Sequence, residues 1–269
     1  MNQRGGNLST KSLGQHFLTD RGIIRRILNA SELDLKDHVV EIGPGRGHLT
    51  DAIAERVGSL IAVEIDQNLV RDLNERFIGQ TNVTIFSGDA REVDFSLLTN
   101  TSKPYKLVAN LPYYAAMPII RRFLGSSHRP SMMVIMVQRE VAQQMVAQPG
   151  DMGLVSVAIQ LYGRPKIIAH VSPRSFRPQP KVTSTIVRID PFDSPVVNFD
   201  REENFFRIVK AGFSAPRKQL RNSLKNGLNI ESDIVDKWLV KSEIDPIRRA
   251  QTLTLDEWAR MYKIFYEMV

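Results

Sequence analysis

The feature that most constrains the fold is an alternation of short apolar segments with segments whose apolar residues recur at helical spacing. The apolar segments 39–42, 60–65, 83–86, 106–109 and 132–137 are the strand candidates. Strands that alternate with helices pair in parallel, because each helix carries the chain back across the sheet. The sequence therefore predicts an α/β fold built on a doubly wound, mostly parallel sheet.

After the five strand candidates, the regular alternation of strands and helices ends. Segments 166–171 and 182–189 are typical of two further strands that close the sheet as an antiparallel pair, whereas 154–162 is ambiguous by period. The proline-containing stretch 190–200 has no strong period. Beyond it the spacing is helical, and one helix is expected to restart at Ser214 and Pro216 and to stop near Gly227. We predict an α/β domain over residues 1–193 and a smaller all-α domain over residues 194–269.

Composition excludes several classes of protein. The chain has no cysteine, which removes disulfides, thiolate nucleophiles and cysteine-ligated metal sites, and its five histidines are scattered. We therefore predict no metal site. No apolar run approaches the roughly 18 residues of a membrane span, and the first residues lack the apolar region of a signal peptide. These observations predict a cytoplasmic protein that does not enter a membrane.

The net charge of +7 is segregated along the chain. Residues 1–19, 154–189 and 205–227 contain basic residues and no acidic ones, and the rest of the chain is net acidic. A surface that follows a phosphate backbone needs such segregation, because each neutralised phosphate releases counterions. Charge alone favours a nucleic-acid partner over ordinary solvated faces.

A glycine-dense turn follows the first strand candidate. Gly43, Gly45 and Gly47 precede a helical segment, at the position where open α/β sheets bind ligands. His48 stands where the dinucleotide fingerprint needs its third glycine, which disfavours a nicotinamide or flavin cofactor. A phosphate-binding P-loop is excluded, because the lysine that should follow the glycines is missing.

Acidic residues follow the next two strand candidates. Glu64 lies where an acid accepts hydrogen bonds from ribose hydroxyls, while the nearby Asp66 is predicted to cap a helix. Asp89, followed by Ala90, offers an acceptor for an adenine amino group. Three consecutive strand ends therefore predict one adenosine-shaped site.

The fourth strand candidate ends in Asn-Leu-Pro-Tyr-Tyr at 110–114. The Asn110 side-chain oxygen and the Leu111 carbonyl can each accept one N–H of an adenine amine and draw its lone pair towards a methyl donor. Pro112 keeps its predecessor extended, and Tyr113 can stack on an extruded base. The motif resembles that of adenine-N6 methyltransferases.

Three further segments resemble the ribosomal RNA adenine dimethyltransferases. Residues 11–18 (Lys-Ser-Leu-Gly-Gln-His-Phe-Leu) are similar to the N-terminal signature of that family. Residues 176–182 (Phe-Arg-Pro-Gln-Pro-Lys-Val) are similar to its Phe-x-Pro-x-Pro-Lys-Val segment, and 217–222 (Arg-Lys-Gln-Leu-Arg-Asn) to its basic C-terminal helix. The motifs follow family order over nearly the whole chain.

The resemblance implies a Rossmann-like class I S-adenosylmethionine-dependent methyltransferase sheet with a C-terminal all-α RNA-binding domain. The implied ligands of S-adenosylmethionine, which leaves as S-adenosylhomocysteine, are Gln15, His16, Leu18, Gly43, Gly45, Glu64, Ile65, Asp89, Ala90 and Asn110. The implied catalytic set is Asn110, Leu111, Pro112, Tyr113 and Phe176, with the target adenine between Tyr113 and Phe176. RNA contacts are implied at Lys181, Arg217, Lys218, Arg221 and Lys225. His16 stands where relatives often have asparagine, and a packing role is as consistent with it as a polar contact.

The implied reaction converts two adjacent adenosines in the 3′-terminal hairpin of small-subunit (16S) ribosomal RNA to N6,N6-dimethyladenosine. The implied partner is an immature 30S subunit, and the enzyme is expected to be a monomer. One alternative is a large-subunit ribosomal RNA adenine methyltransferase of the antibiotic-resistance type. Another is a non-catalytic RNA or assembly factor on the same fold. The long basic C-terminal helix disfavours the first, and the intact site residues disfavour the second.

Overall fold

The computed structural model describes residues 15–95, 99 and 103–268. Within these ranges the strands are β1 (Phe17–Leu18), β2 (His38–Ile42), β3 (Ser59–Glu64), β4 (Val83–Ser87), β5 (Lys106–Asn110), β6 (Met132–Gln138), β7 (Gly163–Val171), β8 (Phe176–Arg177) and β9 (Ser184–Pro191). The five strand candidates of the first half are all present, as β2 to β6.

The helices in the same ranges are α1 (Arg21–Ser31), α2 (His48–Ala54), α3 (Gln67–Arg76), α4 (Ala116–Gly125), α5 (Arg139–Val146), α6 (Leu154–Gln160), α7 (Glu202–Phe213), α8 (Leu220–Leu228), α9 (Ser232–Lys241) and α10 (Leu255–Met268). Asp66 caps α3 as predicted, because its carboxylate accepts the amide of Asn68. Among the described helices, none combines the length and the apolar character needed to cross a membrane.

Seven strands form one sheet in the order β4-β3-β2-β5-β6-β9-β7. Strands β2 to β6 are parallel, and β9 runs antiparallel to β6. Ile42 pairs with Val63 and with Ala109, so the residues that follow them lie at one level of the carboxyl edge. The strand order reverses between β2 and β5, and this is the place where open α/β sheets bind ligands.

The described chain divides into two compact units. One consists of the residues up to Ala142 together with Pro165–Pro191, and it contains the sheet apart from the first two residues of β7. The other, the helical unit, consists of Gln143–Arg164 and Phe192–Val269. The predicted ranges, 1–193 and 194–269, differ from these units by the segment 143–164 and by residues 192 and 193.

Local bonding explains why segment 143–164 belongs to the helical unit. Val157 and Ile159 of α6 are fully buried. The Phe192 amide donates to the Tyr162 carbonyl and the Val196 amide to that of Leu161, which joins the end of α6 to the chain beyond the sheet. Periodicity along a chain identifies an apolar face but not the element that covers it.

The helix expected to restart at Ser214 and Pro216 begins later than predicted, whereas its predicted end near Gly227 is confirmed. Helix α8 begins at Leu220, after a turn that contains Pro216, and it continues through Gly227 to Leu228. Asn229, with a φ of 55°, ends it. Gly227 also serves close packing, because a Cβ there would lie 2.7 Å from the Cα of Ala211 in α7.

Candidate active site

The glycine turn lies at the carboxyl edge of the sheet. Gly43, Gly45 and Gly47 have φ values of +70°, +57° and +81°, which residues with a Cβ rarely adopt. A Cβ at Gly45 would also lie 2.8 Å from Cδ1 of Phe17. The first two glycines therefore present bare main chain to a cleft that they line.

Glu64 ends β3 and lines the same cleft with only 4% of its surface exposed. Its Oε1 accepts the amides of Ile65 and Asp66, at 2.9 and 3.0 Å. Its Oε2 accepts the amide of Gly45 at 3.1 Å. Burial raises the pKa of Glu64, and the three amide donors oppose this by stabilising the ionised form. Since Oε2 has one protein donor, it keeps capacity for a ligand hydroxyl.

Asn110 ends β5 and lines the cleft beside Gly43. Its Nδ2 donates to the main-chain carbonyl of His16 at 3.3 Å, which orients the amide plane. With the nitrogen engaged, the side-chain oxygen is the atom left to accept an N–H from a molecule in the cleft. The structure therefore brings Asn110 and the glycine turn together, as the sequence predicted.

The short strands β1 and β8 close one side of the cleft. They pair antiparallel, with Phe17 opposite Arg177 and Leu18 opposite Phe176. The Nδ1 of His16 donates to the carbonyl of Pro178 at 2.9 Å. The pairing joins the end of the N-terminal signature to the segment 176–182, although residues 11–14 of that signature lie outside the described residues.

The two rings predicted to hold the target base both line the cleft. The Tyr113 hydroxyl shares a hydrogen bond of 2.7 Å with Oγ of Ser184, the first residue of β9. Phe176 is 1% exposed and packs in the hydrophobic core. Leu111 is anchored by its amide, which donates to the Met136 carbonyl at 3.3 Å. The position of an adenine between Tyr113 and Phe176 stays a prediction.

Asp89 lies in the cleft in contact with Arg91. The guanidinium Nε of Arg91 is 3.0 Å from each carboxylate oxygen, and its Nη2 is 2.5 Å from Oδ2. These hydrogen bonds hold the pKa of Asp89 below its usual range. If Asp89 also binds an adenine amine, as predicted, its carboxylate has to accept hydrogen bonds from both the amine and Arg91.

Two buried polar atoms at the cleft have no hydrogen-bond partner among the described residues. They are Oε1 of Gln15 and Oε2 of Glu41. Glu41 is 1% exposed in β2, and burial raises its pKa to about 8. The Gln15 oxygen, and Glu41 once it is ionised, can accept hydrogen bonds from a ligand that carries an ammonium group, and Glu64 and Asp89 fit its ribose and adenine. The residues present are therefore suited to S-adenosylmethionine. The remaining predicted ligands, Leu18, Ile65 and Ala90, also line the cleft.

The residues predicted to contact RNA have unlike surroundings. Lys181, Arg217, Lys218 and Lys225 are exposed. Arg221 instead binds Asp236 of α9, with Nε 2.5 Å from Oδ1 and Nη2 2.7 Å from Oδ2. Arg217 and Lys218 precede α8, so the basic segment is a turn followed by a helix. A role for these five residues in RNA binding stays a prediction.

Comparison with known proteins identifies the family. Residues 6–267 match the family described as Ribosomal RNA adenine dimethylase. The chain belongs to this family. The family and the enzyme class predicted from the motifs are thereby confirmed.

Relatives of this ribosomal RNA adenine dimethylase cover nearly all of it. "Ribosomal RNA small subunit methyltransferase A" of Dehalococcoides mccartyi is 40% identical over 257 residues, which are 96% of this chain and 88% of that protein. The protein of the same name from Alkaliphilus oremlandii is 42% identical over 255 residues, 93% and 89% of the two chains.

Solved structures confirm the predicted fold class. A dimethyladenosine transferase from Plasmodium falciparum superposes with a TM-score of 0.77 at 24% identity, covering 94% of this chain and 98% of that one. The 23S rRNA methyltransferase ErmE superposes with a TM-score of 0.70 at 24% identity, covering 92% and 98%. These likenesses concern the fold.

Sequence reasoning missed three side chains of this dimethylase that line the cleft or hold its residues. They are Glu41, Arg91 and Ser184. Glu41 had a usable signal, because an acidic residue inside an apolar strand next to a glycine turn is unusual. Arg91 and Ser184 act on Asp89 and Tyr113 by contacts that appear only in three dimensions.

Proposed function

We propose that the protein transfers methyl groups from S-adenosylmethionine to N6 of two adjacent adenosines in the 3′-terminal hairpin of small-subunit ribosomal RNA. The product is N6,N6-dimethyladenosine. The names of the relatives, with 40% and 42% identity over more than nine-tenths of the chain, support the small subunit as the substrate. The proposal includes an immature 30S subunit as partner, a cytoplasmic location and a monomeric enzyme.

The observation that carries the proposal is the orientation of Asn110. Its nitrogen is held by the His16 carbonyl at the cleft that Gly45 and Glu64 line. An adenine amine is a poor nucleophile because its lone pair is delocalised into the ring. The oxygen of Asn110 can accept one of its N–H groups in the same cleft that holds the residues expected to bind the cofactor.

The residues that would hold S-adenosylmethionine are Gly43, Gly45, Glu64 and Asp89, with Gln15 and Glu41 at the cleft. When bound, this group supplies a methyl carbon activated by a positively charged sulfur.

The chain's own residues bind and orient the adenine. The Asn110 oxygen and the Leu111 carbonyl each accept one N–H of the amine, which turns the lone pair out of the ring plane. Tyr113, tethered through its hydroxyl to Ser184, offers a ring for stacking. Alignment and proximity supply most of the acceleration, and no general base is required because the alkylated amine loses its proton to water.

The large-subunit alternative is less well supported. The 23S rRNA methyltransferase shares the fold at 24% identity, whereas the small-subunit relatives reach 40% and 42%. A non-catalytic role is disfavoured because the described residues of the site converge on one cleft.

Replacement of Asn110 tests the proposal. At saturating cofactor, Asn110→Ala should lower the single-turnover methylation of unmodified small subunits by about 100-fold or more, while subunit affinity changes little. The methylated position is mapped by mass spectrometry of the ribosomal RNA. Methylation by the variant at the wild-type rate, or methyl groups mapped to another RNA, would refute the proposal.

A further inference from the structure

Tyr114 is an exposed aromatic side chain at the rim of the cleft. It is 58% exposed, and the other described aromatic side chain with comparable exposure is Tyr266, at 38%, in the helical unit. Tyr114 lines the cleft together with Asn110 and Tyr113. A tyrosine this exposed contributes little to packing, so its position beside the reacting residues calls for another explanation.

Arg91 lies against the ring of Tyr114. The guanidinium carbon is 6.0 Å from the ring centroid, within the range of a cation–π contact. Arg91 is itself held in place, because its side chain binds the Asp89 carboxylate at 2.5 to 3.0 Å and its carbonyl accepts a hydrogen bond from Arg122. The Arg91 side chain keeps 44% of its surface exposed. Tyr114 and Arg91 therefore form a fixed, partly exposed pair of π-bearing groups, here named the rim pair.

The rim pair suits an unpaired nucleobase. Proteins recognise single-stranded RNA by stacking bases on aromatic rings and on guanidinium planes, and this tolerates any base because each base has a π-face. An adenosine that reaches Asn110 brings its neighbours in the strand to the rim of the same cleft, since consecutive nucleotides are covalently joined. Tyr113 and Tyr114 are consecutive and both line the cleft, so the rim pair lies within one residue of the ring expected to stack on the target base.

We propose that the rim pair binds the base adjacent to the target adenosine and thereby positions the target for methylation. The inference rests on the proposed function, because it takes an RNA adenosine as the substrate. It deepens that function by assigning a subsite for the neighbouring nucleotide. Tyr114 is a positioning residue, and the reaction at N6 remains with Asn110 and Leu111.

Three substitutions of Tyr114 separate stacking from other roles. Tyr114→Leu should raise the KM for unmodified small subunits about tenfold or more, the size expected for one lost stacking contact. Tyr114→Phe and Tyr114→Trp keep a ring and should stay within about threefold of wild type. The dissociation constant for S-adenosylmethionine, measured by calorimetry, should be unchanged in all three variants. Tyr266→Leu is the matched control for the loss of an exposed ring.

Fluorescence gives a second readout that does not depend on turnover. A 3′ fragment of the ribosomal RNA carries 2-aminopurine at the 5′ or 3′ neighbour of the target, and its emission is followed as protein is added. Wild type and Asn110→Ala should quench one of the two positions, and Tyr114→Leu should not. Quenching that survives in Tyr114→Leu, or its absence at both positions in wild type, would overturn the proposal. A weakened cofactor affinity in Tyr114→Leu would assign the ring to the cofactor instead.

Failure of this inference differs from failure of the proposed function. If the rim pair binds no base, Tyr114→Leu behaves as wild type while the wild-type enzyme still methylates its adenosines. If the proposed function fails, the wild-type enzyme itself leaves small subunits unmethylated.

Discussion

At the scale of single residues, the cleft contains a buried carboxyl group, Glu41, whose ionisation opposes folding. Burial raises the pKa of Glu41 from its ordinary value of 4.5 to about 8. The folded state then holds a proton that the unfolded chain releases above about pH 5. The free energy of unfolding should therefore fall between about pH 5 and about pH 8, by up to about 1.4 kcal/mol per pH unit.

Glu41→Gln should remove the contribution of Glu41 to this dependence and stabilise the cofactor-free protein most at pH 8, while Glu64, whose pKa is also raised, keeps its own contribution. Thermal unfolding followed by circular dichroism between pH 5 and pH 8 measures both effects. Glu55→Gln is the control, because the Glu55 side chain is 76% exposed. If the stability of Glu41→Gln falls with pH as steeply as that of wild type, a group other than Glu41 causes the pH dependence.

Residue identities could be predicted from the sequence wherever a motif ties chemistry to a strand end. Asn110, Glu64 and Asp89 lie at the cleft for that reason, because the carboxyl ends of parallel strands meet at one edge. Their partners could not be predicted. The His16 carbonyl, 94 positions away in the sequence, accepts the hydrogen bond that orients Asn110. Arg91 binds the Asp89 carboxylate, for which the sequence predicted an adenine amine as the partner.

At the scale of elements, the strands were predictable and the packing of helices was not. Each parallel strand is a short apolar run with clear ends, whereas an apolar helix face does not indicate its partner. Gly227 illustrates the difference. In the sequence this glycine indicates the end of the helix, which does lie one residue later, at Leu228, but its sequence position does not show that it also permits α8 to approach Ala211 of α7.

Gly227→Ala tests this packing role. The added Cβ would lie 2.7 Å from Cα and 2.9 Å from the carbonyl oxygen of Ala211, so main chain has to move. Overpacking of this kind costs about 1 to 3 kcal/mol, which exceeds the roughly 1 kcal/mol that alanine gains over glycine in a helix. The expected net result is a lower urea midpoint.

Tryptophan fluorescence reports that midpoint, since Trp238 and Trp258 lie in the helical unit. Asn226→Ala, at the exposed neighbouring position of α8, should be neutral or slightly stabilising. A Gly227→Ala variant as stable as Asn226→Ala would show that α7 and α8 separate without cost.

At the scale of the whole molecule, the segregated charge predicts binding that depends strongly on salt. The basic excess lies in the acid-free stretches, and residues 217–225 carry four of the five basic residues expected to contact RNA. Their surroundings now distinguish them. Lys218 is exposed before α8, whereas the Arg221 guanidinium binds both oxygens of Asp236 and holds the pKa of that carboxyl below its usual range.

Lys218→Ala should therefore reduce the slope of log affinity against log salt by about 0.7 to 0.9, the contribution of one phosphate contact. Arg221→Ala should leave that slope nearly unchanged and instead match Asp236→Ala in its small effect on stability, because both remove the same half-exposed ion pair. Lys241→Ala, exposed at the end of α9 and outside the acid-free stretches, is the control. Filter binding to small-subunit ribosomal RNA from low to physiological salt gives the slopes. If Arg221→Ala flattens the slope as much as Lys218→Ala does, an RNA phosphate displaces Asp236 from Arg221. Arg221 would then contact RNA, as the sequence resemblance implies.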